Sequence, residues 1–124
     1  MINNNINISI QERTENFAIR VVKAYSELNK RPFEDAGKVL SKQFLKSGTA
    51  IGANCSEARY AQSNSDFISK YSIALKEANE TLYWIKIMIK SELVSKSKFS
   101  NMIQENEEII KILVSSINKL KKNN

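Results

Sequence analysis

No histidine occurs among the 124 residues, and Cys55 is the single cysteine. The commonest general base, proton shuttle and nitrogen ligand is therefore missing, and zinc or another soft metal finds no ligand set. Carboxylates and amines are what remains for chemistry. Glu57, Glu77 and Glu80 could converge if the helices that carry them pack together. Such a cluster could hold a hard cation between helices or act as an acid–base pair. The di-iron form of that site also requires a Glu-x-x-His motif, which this chain cannot supply. The favoured reading is that the three carboxylates bond Lys, Arg or backbone groups across a helix interface. Cys55 lies among small residues with no imidazole to activate it, and reads as a buried structural thiol. No catalytic residue, cofactor or metal is expected, and the chain reads as a non-enzyme.

The amines offer a different chemistry. Lys and Arg number 19 against 13 acidic residues, a net charge of +6 with a pI near 9.5. Lys38, Lys42 and Lys46 fall four residues apart, so on a helix they form one row. Arg59 and Tyr60 follow on the same segment, and Lys76, Lys86 and Lys90 share an outer face with Tyr83. Cations beside an exposed ring can contact phosphates and stack on bases; the plain alternative is a solvated surface. Both stay open at this point.

The segment Ser47-Gly48-Thr49-Ala50-Ile51-Gly52-Ala53-Asn54-Cys55-Ser56 is nearly all small. A glycine inside a helix costs about 1 kcal/mol relative to alanine, so Gly48 and Gly52 are expected to mark close approach of another helix. A phosphate loop is the weaker reading, because no strand precedes the glycines and no Lys-Ser/Thr follows at the required spacing.

These residues must be positioned by helices. Three glycines and one proline are too few for an all-β fold. The periodicity predicts four helices, at about 10–29, 33–61, 65–93 and 98–120. Their buried stripes run Phe17, Ile19, Val21, Val22, Tyr25, Leu28; Phe33, Ala36, Leu40, Phe44, Ser47, Ile51, Cys55, Ala58; Phe67, Tyr71, Ala74, Ala78, Leu82, Ile85, Ile89; and Phe99, Met102, Ile103, Ile109, Ile110, Leu113, Val114, Ile117, Leu120. Pro32 ends the first helix, and Ser63 with Asp66 resembles a capping box before the third. Short connections imply antiparallel neighbours. The fold class is therefore all-α, an up-down-up-down four-helix bundle spanning 9–122, with residues 1–8 as a disordered tail. The third helix also has a second face, made of Ile73, Glu77, Glu80, Trp84 and Ile87. A helix apolar on two sides is expected to be packed on two sides, so this face reads as an oligomer interface. No signal peptide is legible at the start, and the run Leu82 to Ile89 is too short to span a bilayer. The expected location is cytoplasmic.

Two long motifs add a resemblance. Gln43-Phe44-Leu45-Lys46-Ser47-Gly48-Thr49-Ala50-Ile51-Gly52-Ala53-Asn54-Cys55-Ser56-Glu57-Ala58 is the first. The second is Asp66-Phe67-Ile68-Ser69-Lys70 followed by Ile73-Ala74-Leu75-Lys76-Glu77-Ala78-Asn79-Glu80-Thr81-Leu82-Tyr83-Trp84. Together they resemble the bacterial four-helix-bundle proteins encoded in intervening sequences of 23S ribosomal RNA genes, a family that includes the accessory variability determinant of diversity-generating retroelements. The resemblance runs from roughly Phe17 to Leu120. Where many members read Asn-Ile-Ala-Glu-Gly, this chain reads Asn54-Cys55-Ser56-Glu57-Ala58, which fits free-standing members. The resemblance implies a homopentamer with a basic surface and no enzymatic activity. For the retroelement branch it implies nucleic-acid binding alongside a reverse transcriptase. The expected function is non-specific binding of RNA or DNA by a homo-oligomer. Its competitors are a protein-interaction scaffold with incidental charge and a carboxylate metal-binding bundle.

Overall fold

The computed structural model describes residues 8–32 and 34–123. Four helices follow in order, α1 (Ile10–Leu28), α2 (Asp35–Ala58), α3 (Asn64–Lys90) and α4 (Lys96–Lys122). Each packs on its chain neighbours, α2 with α3 most extensively, and α1 meets α4 along the sparsest seam. This is the four-helix bundle that the periodicity predicts. Residues 1–7 of the expected tail, and Phe33 of the second stripe, lie outside the described residues. Ile8, assigned to the tail, is half-buried and lines the crevice between α1 and α4.

The helix ends follow local chemistry. Ser9 and Ser63 cap α1 and α3, their hydroxyls accepting from the amides of Glu12 and Asp66. The Asp66 carboxylate accepts from the Gln62 amide, not from that of Ser63, so the capping box is displaced by one residue. Helix α2 stops at Ala58, three residues before its expected end, because the amides of Arg59, Tyr60 and Ala61 turn tighter onto carbonyls three residues back. Helix α3 ends at Lys90, not residue 93, in a Schellman turn. Glu92 takes the left-handed conformation (φ 65°) and the amides of Leu93 and Val94 bond the Met88 carbonyl. Glycine is the residue best suited to that position. Glu92→Gly is therefore expected to raise stability by about 0.5–1 kcal/mol, read as a higher urea midpoint at unchanged slope; a lower midpoint would show that the Glu92 side chain matters more than its backbone.

The core runs the length of the bundle. Phe17, Phe44, Ile51, Ile85, Ile109 and Leu113 are fully buried, each contributing about 1.5–3 kcal/mol by leaving water. Phe44 of α2 meets Phe99 of α4 edge-on, with ring centroids 6.0 Å apart, which closes the bundle across its diagonal. Several stripe assignments are corrected. Ile19, Val22 and Val114 are 48%, 46% and 40% exposed, and Ala36 is exposed, with Gly37 buried in its place. Ile19 and Val22 stand roughly 200° and 140° around α1 from Phe17 at 100° per residue, well off the core line. Conversely, Thr14, Ser41, Thr81 and Asn106 are buried polar residues outside the expected stripes, while Ser47 is buried on its stripe as expected. Thr14 donates to the Ile10 carbonyl at 2.8 Å and so satisfies itself within its helix.

The α1–α4 seam is polar. Arg13 meets Glu108 and Arg20 meets Glu105, each at 3.4 Å. Burial pushes the Glu105 carboxyl above its usual range; Arg20 and Arg13 oppose the rise and Glu108 adds to it. A carboxyl raised in the folded state supports folding while protonated, and that support is lost as pH rises through the raised value. Glu105→Gln removes this dependence. The stability of the parent minus that of Glu105→Gln is expected to fall with rising pH above the ordinary value of 4.5 and then level off. Urea titrations between acid and neutral pH measure it, and a flat difference would contradict the assignment.

Candidate nucleic-acid interface

Gly48 and Gly52 fix the first contact. A Cβ on Gly48 would stand 2.8 Å from both methyls of Val21, and one on Gly52 would stand 3.1 Å from the Thr14 carbonyl oxygen. Both distances are shorter than ordinary van der Waals contact, so α1 lies against bare α2 backbone. The glycine segment serves helix packing at this place.

On the next side of α2, the hydroxyls of Ser47 and Thr81 lie 2.8 Å apart, and Thr81 also reaches the Glu77 carbonyl at 2.7 Å. This buried pair sets the register of the antiparallel α2–α3 contact. Ser47 opposite Thr81 places Lys42 level with Lys86 and Lys38 level with Lys90. The Lys70–Glu57 ion pair, 2.9 Å, agrees with the same register further along.

The register sorts the basic residues. Lys38, Lys42, Lys46, Lys86 and Lys90 are all exposed and belong to the half of the bundle that carries the α1–α2 and α3–α4 connections. Lys96 and Lys98, also exposed, open α4 at that same end. The sequence places Lys96 in a turn and Lys98 at the start of the fourth helix, far from the basic rows of the second and third helices; only the up-down topology returns them to the others. Arg59 and Lys76 do not join this group. Arg59 stands about 25 Å along α2 from Lys42, and Lys76 about 21 Å along α3 from Lys90, at 1.5 Å per residue. Arg59 lies 5.7 Å over the ring of Tyr60, which is 76% exposed. Tyr83 is 56% exposed and stacks edge-on with Trp84 at 5.2 Å in the lysine-rich half. Among the described residues, the ion pairs involve Arg13, Arg20, Lys30 and Lys70; the lysines of the row are left facing solvent.

The second face of α3 is regular. Ile73, Glu77, Glu80, Trp84 and Ile87 recur at spacings of four and three, one residue behind the core positions Ala74, Ala78, Thr81, Ile85 and Met88. Ile73 is 39% exposed, and the other four are half-buried at the surface of this single chain. Trp84 Nε1 donates to Glu80 Oε2 at 3.4 Å, which turns the indole along the face.

The carboxylates do not converge. Glu57 is engaged by Lys70, which holds the Lys70 ammonium pKa above its usual value, and Glu80 is engaged by Trp84. Among the described residues no three ligating side chains are grouped to hold a metal. Cys55 is fully buried, and burial pushes its thiol up to about 11, against a smaller opposing contribution from Thr14. It stays protonated at neutral pH and is no nucleophile. An open groove of about 720 Å³ lies at the connected end between Leu28, Leu93, Phe99 and Met102, rimmed by Glu27, Arg31, Glu92 and Lys98. It holds no convergent set of catalytic groups. No described helix is long and apolar enough to cross a membrane.

The comparisons agree with this architecture. No curated protein matches the chain. A solved structure from Bacteroides thetaiotaomicron, described as a protein of unknown function from the S23 ribosomal protein family, is 42% identical and superposes with a TM-score of 0.80. The alignment covers 88% of this chain and 98% of that one. The family model of the 23S rRNA-intervening sequence protein matches residues 7–115. A match of that extent, on a bundle whose helices carry both sequence motifs, shows that the chain belongs to the 23S rRNA-intervening sequence protein family.

Proposed function

We propose that this protein is a non-enzymatic, cytoplasmic homo-oligomer that binds nucleic acid through the phosphate backbone. The observation that carries the reading is the lysine-rich half of the bundle. Lys38, Lys42 and Lys46 stand about 6 Å apart along α2, with Lys86 and Lys90 level with the row and no carboxylate paired to it among the described residues. Ammonium groups in such a row neutralise successive phosphates and release counterions, which gives affinity without base readout. Assembly through the Ile73–Trp84 face would repeat the row in each subunit and multiply the field. The family resemblance supports a pentamer.

Titration of labelled single- and double-stranded RNA and DNA tests the reading. Binding to both is expected at low salt, weakening steeply towards physiological salt. Absence of binding at low salt would leave the scaffold reading, in which the charge only solvates the surface. Light scattering at micromolar concentration tests assembly separately, and a monomer mass would remove it.

A further inference from the structure

We infer that α4 is a releasable helix, and that the bundle opens along the α1–α4 seam while α1, α2 and α3 stay packed. The inference is independent of the nucleic-acid reading. The three helices that stay are tied by contacts that cannot loosen gradually. Gly48 and Gly52 seat α1 directly on α2, and the buried Ser47–Thr81 pair at 2.8 Å joins α2 to α3. Helix α4 has no equivalent on the α1 side. That seam is the sparsest in the molecule and is bridged by the two 3.4 Å ion pairs. A polar crevice of about 300 Å³ runs along it, lined in part by Asn16, Asn101 and Gln104.

Two groups on α4 at the level of those ion pairs are poorly served when the seam is closed. Asn106 is fully buried, yet among the described residues neither its Nδ2 nor its Oδ1 has a hydrogen-bond partner. The Glu105 oxygen nearest Arg20 is buried and makes no hydrogen bond among the described residues. An unsatisfied buried amide forfeits its hydration without return. Lifting α4 away from α1 lets water reach both groups, so the closed state is penalised where it is thinnest. An apolar side chain at 106 would carry no such penalty, since α4 otherwise presents Phe99, Ile109, Leu113 and Ile117 to the core. The hinge is the five-residue connection 91–95, where Glu92 already holds a left-handed backbone.

Hydrogen exchange followed by mass spectrometry on the full chain tests this. Core amides of α4 are expected to exchange through an opening at least tenfold more frequent than the opening that exposes α2 and α3. Asn106→Leu should slow α4 exchange by about tenfold or more, because it stabilises the closed state against every opening that lets water reach residue 106. Equal protection of all four helices in the parent would overturn the inference and needs no variant. Unchanged α4 exchange in Asn106→Leu would also overturn it, because the buried amide would then not be what penalises the closed seam.

Discussion

The Gly52→Leu variant is expected to melt well below the parent and to lose the α1–α2 contact. The position allows little else. A Cβ there already stands 3.1 Å from the Thr14 carbonyl oxygen, and that oxygen belongs to helix backbone that moves only if α1 moves. Overpacking of this kind costs about 1–3 kcal/mol, or roughly 5–15 °C in Tm for a domain of this size. Gly52→Ala separates sterics from propensity. Alanine favours helix by about 1 kcal/mol over glycine, so a fall in stability despite that gain locates the cost in the contact. At Gly48 the obstacle is a side chain, with both Val21 methyls at 2.8 Å. Gly48→Ala should therefore be partly rescued by Val21→Ala, with a coupling of about 1 kcal/mol in the double-mutant cycle. A Gly52→Leu variant that melts like the parent would remove the close-packing role.

The second large effect is expected on binding. Replacing Lys38, Lys42 and Lys46 together by Gln should lower nucleic-acid affinity about 10- to 100-fold near 0.1 M salt. It should also reduce the slope of log affinity against log salt by about 2–3, one phosphate contact per lysine. All three side chains are exposed and off the core, so thermal stability should barely change. Arg59→Gln at the opposite end of the bundle and Lys76→Gln at the middle of α3 are the controls, with expected losses below about threefold. Equal losses at both ends would mean that net charge, not the lysine-rich half, governs binding. Fluorescence anisotropy over a salt series reads affinity and slope in one experiment.

The positions that misled the sequence reading share a physical cause. Ile19, Val22 and Val114 are apolar and fall on the predicted stripes, yet stand 40–48% exposed. Apolar type alone does not decide burial on a bundle surface. Asn106 shows the converse. It falls seven residues from both Phe99 and Leu113 on α4, so the helical period places it in the core, and residue type argued against the period. Glu92 gave no sign of a left-handed backbone because glycine usually marks that position. Among the site residues, the Lys38–Lys46 row was readable from its spacing of four. The contributions of Lys86, Lys90, Lys96 and Lys98 were not, since they depend on which helix ends coincide.

By itself the sequence determined that this chain is helical, that it holds no histidine-dependent chemistry, and where its four helices and glycine contact lie. Each of those depends on local period, composition or backbone preference, which act over a few residues. Tertiary structure decided what lies level with what. The Ser47–Thr81 pair sets the α2–α3 register, the register gathers lysines from two helices into one half, and the same packing draws Glu57 to Lys70 instead of to Glu80. It also buried Asn106 beside the thinnest seam with no hydrogen-bond partner among the described residues. Register and seam arise from contacts between residues tens of positions apart, and no local pattern in the chain encodes such distances.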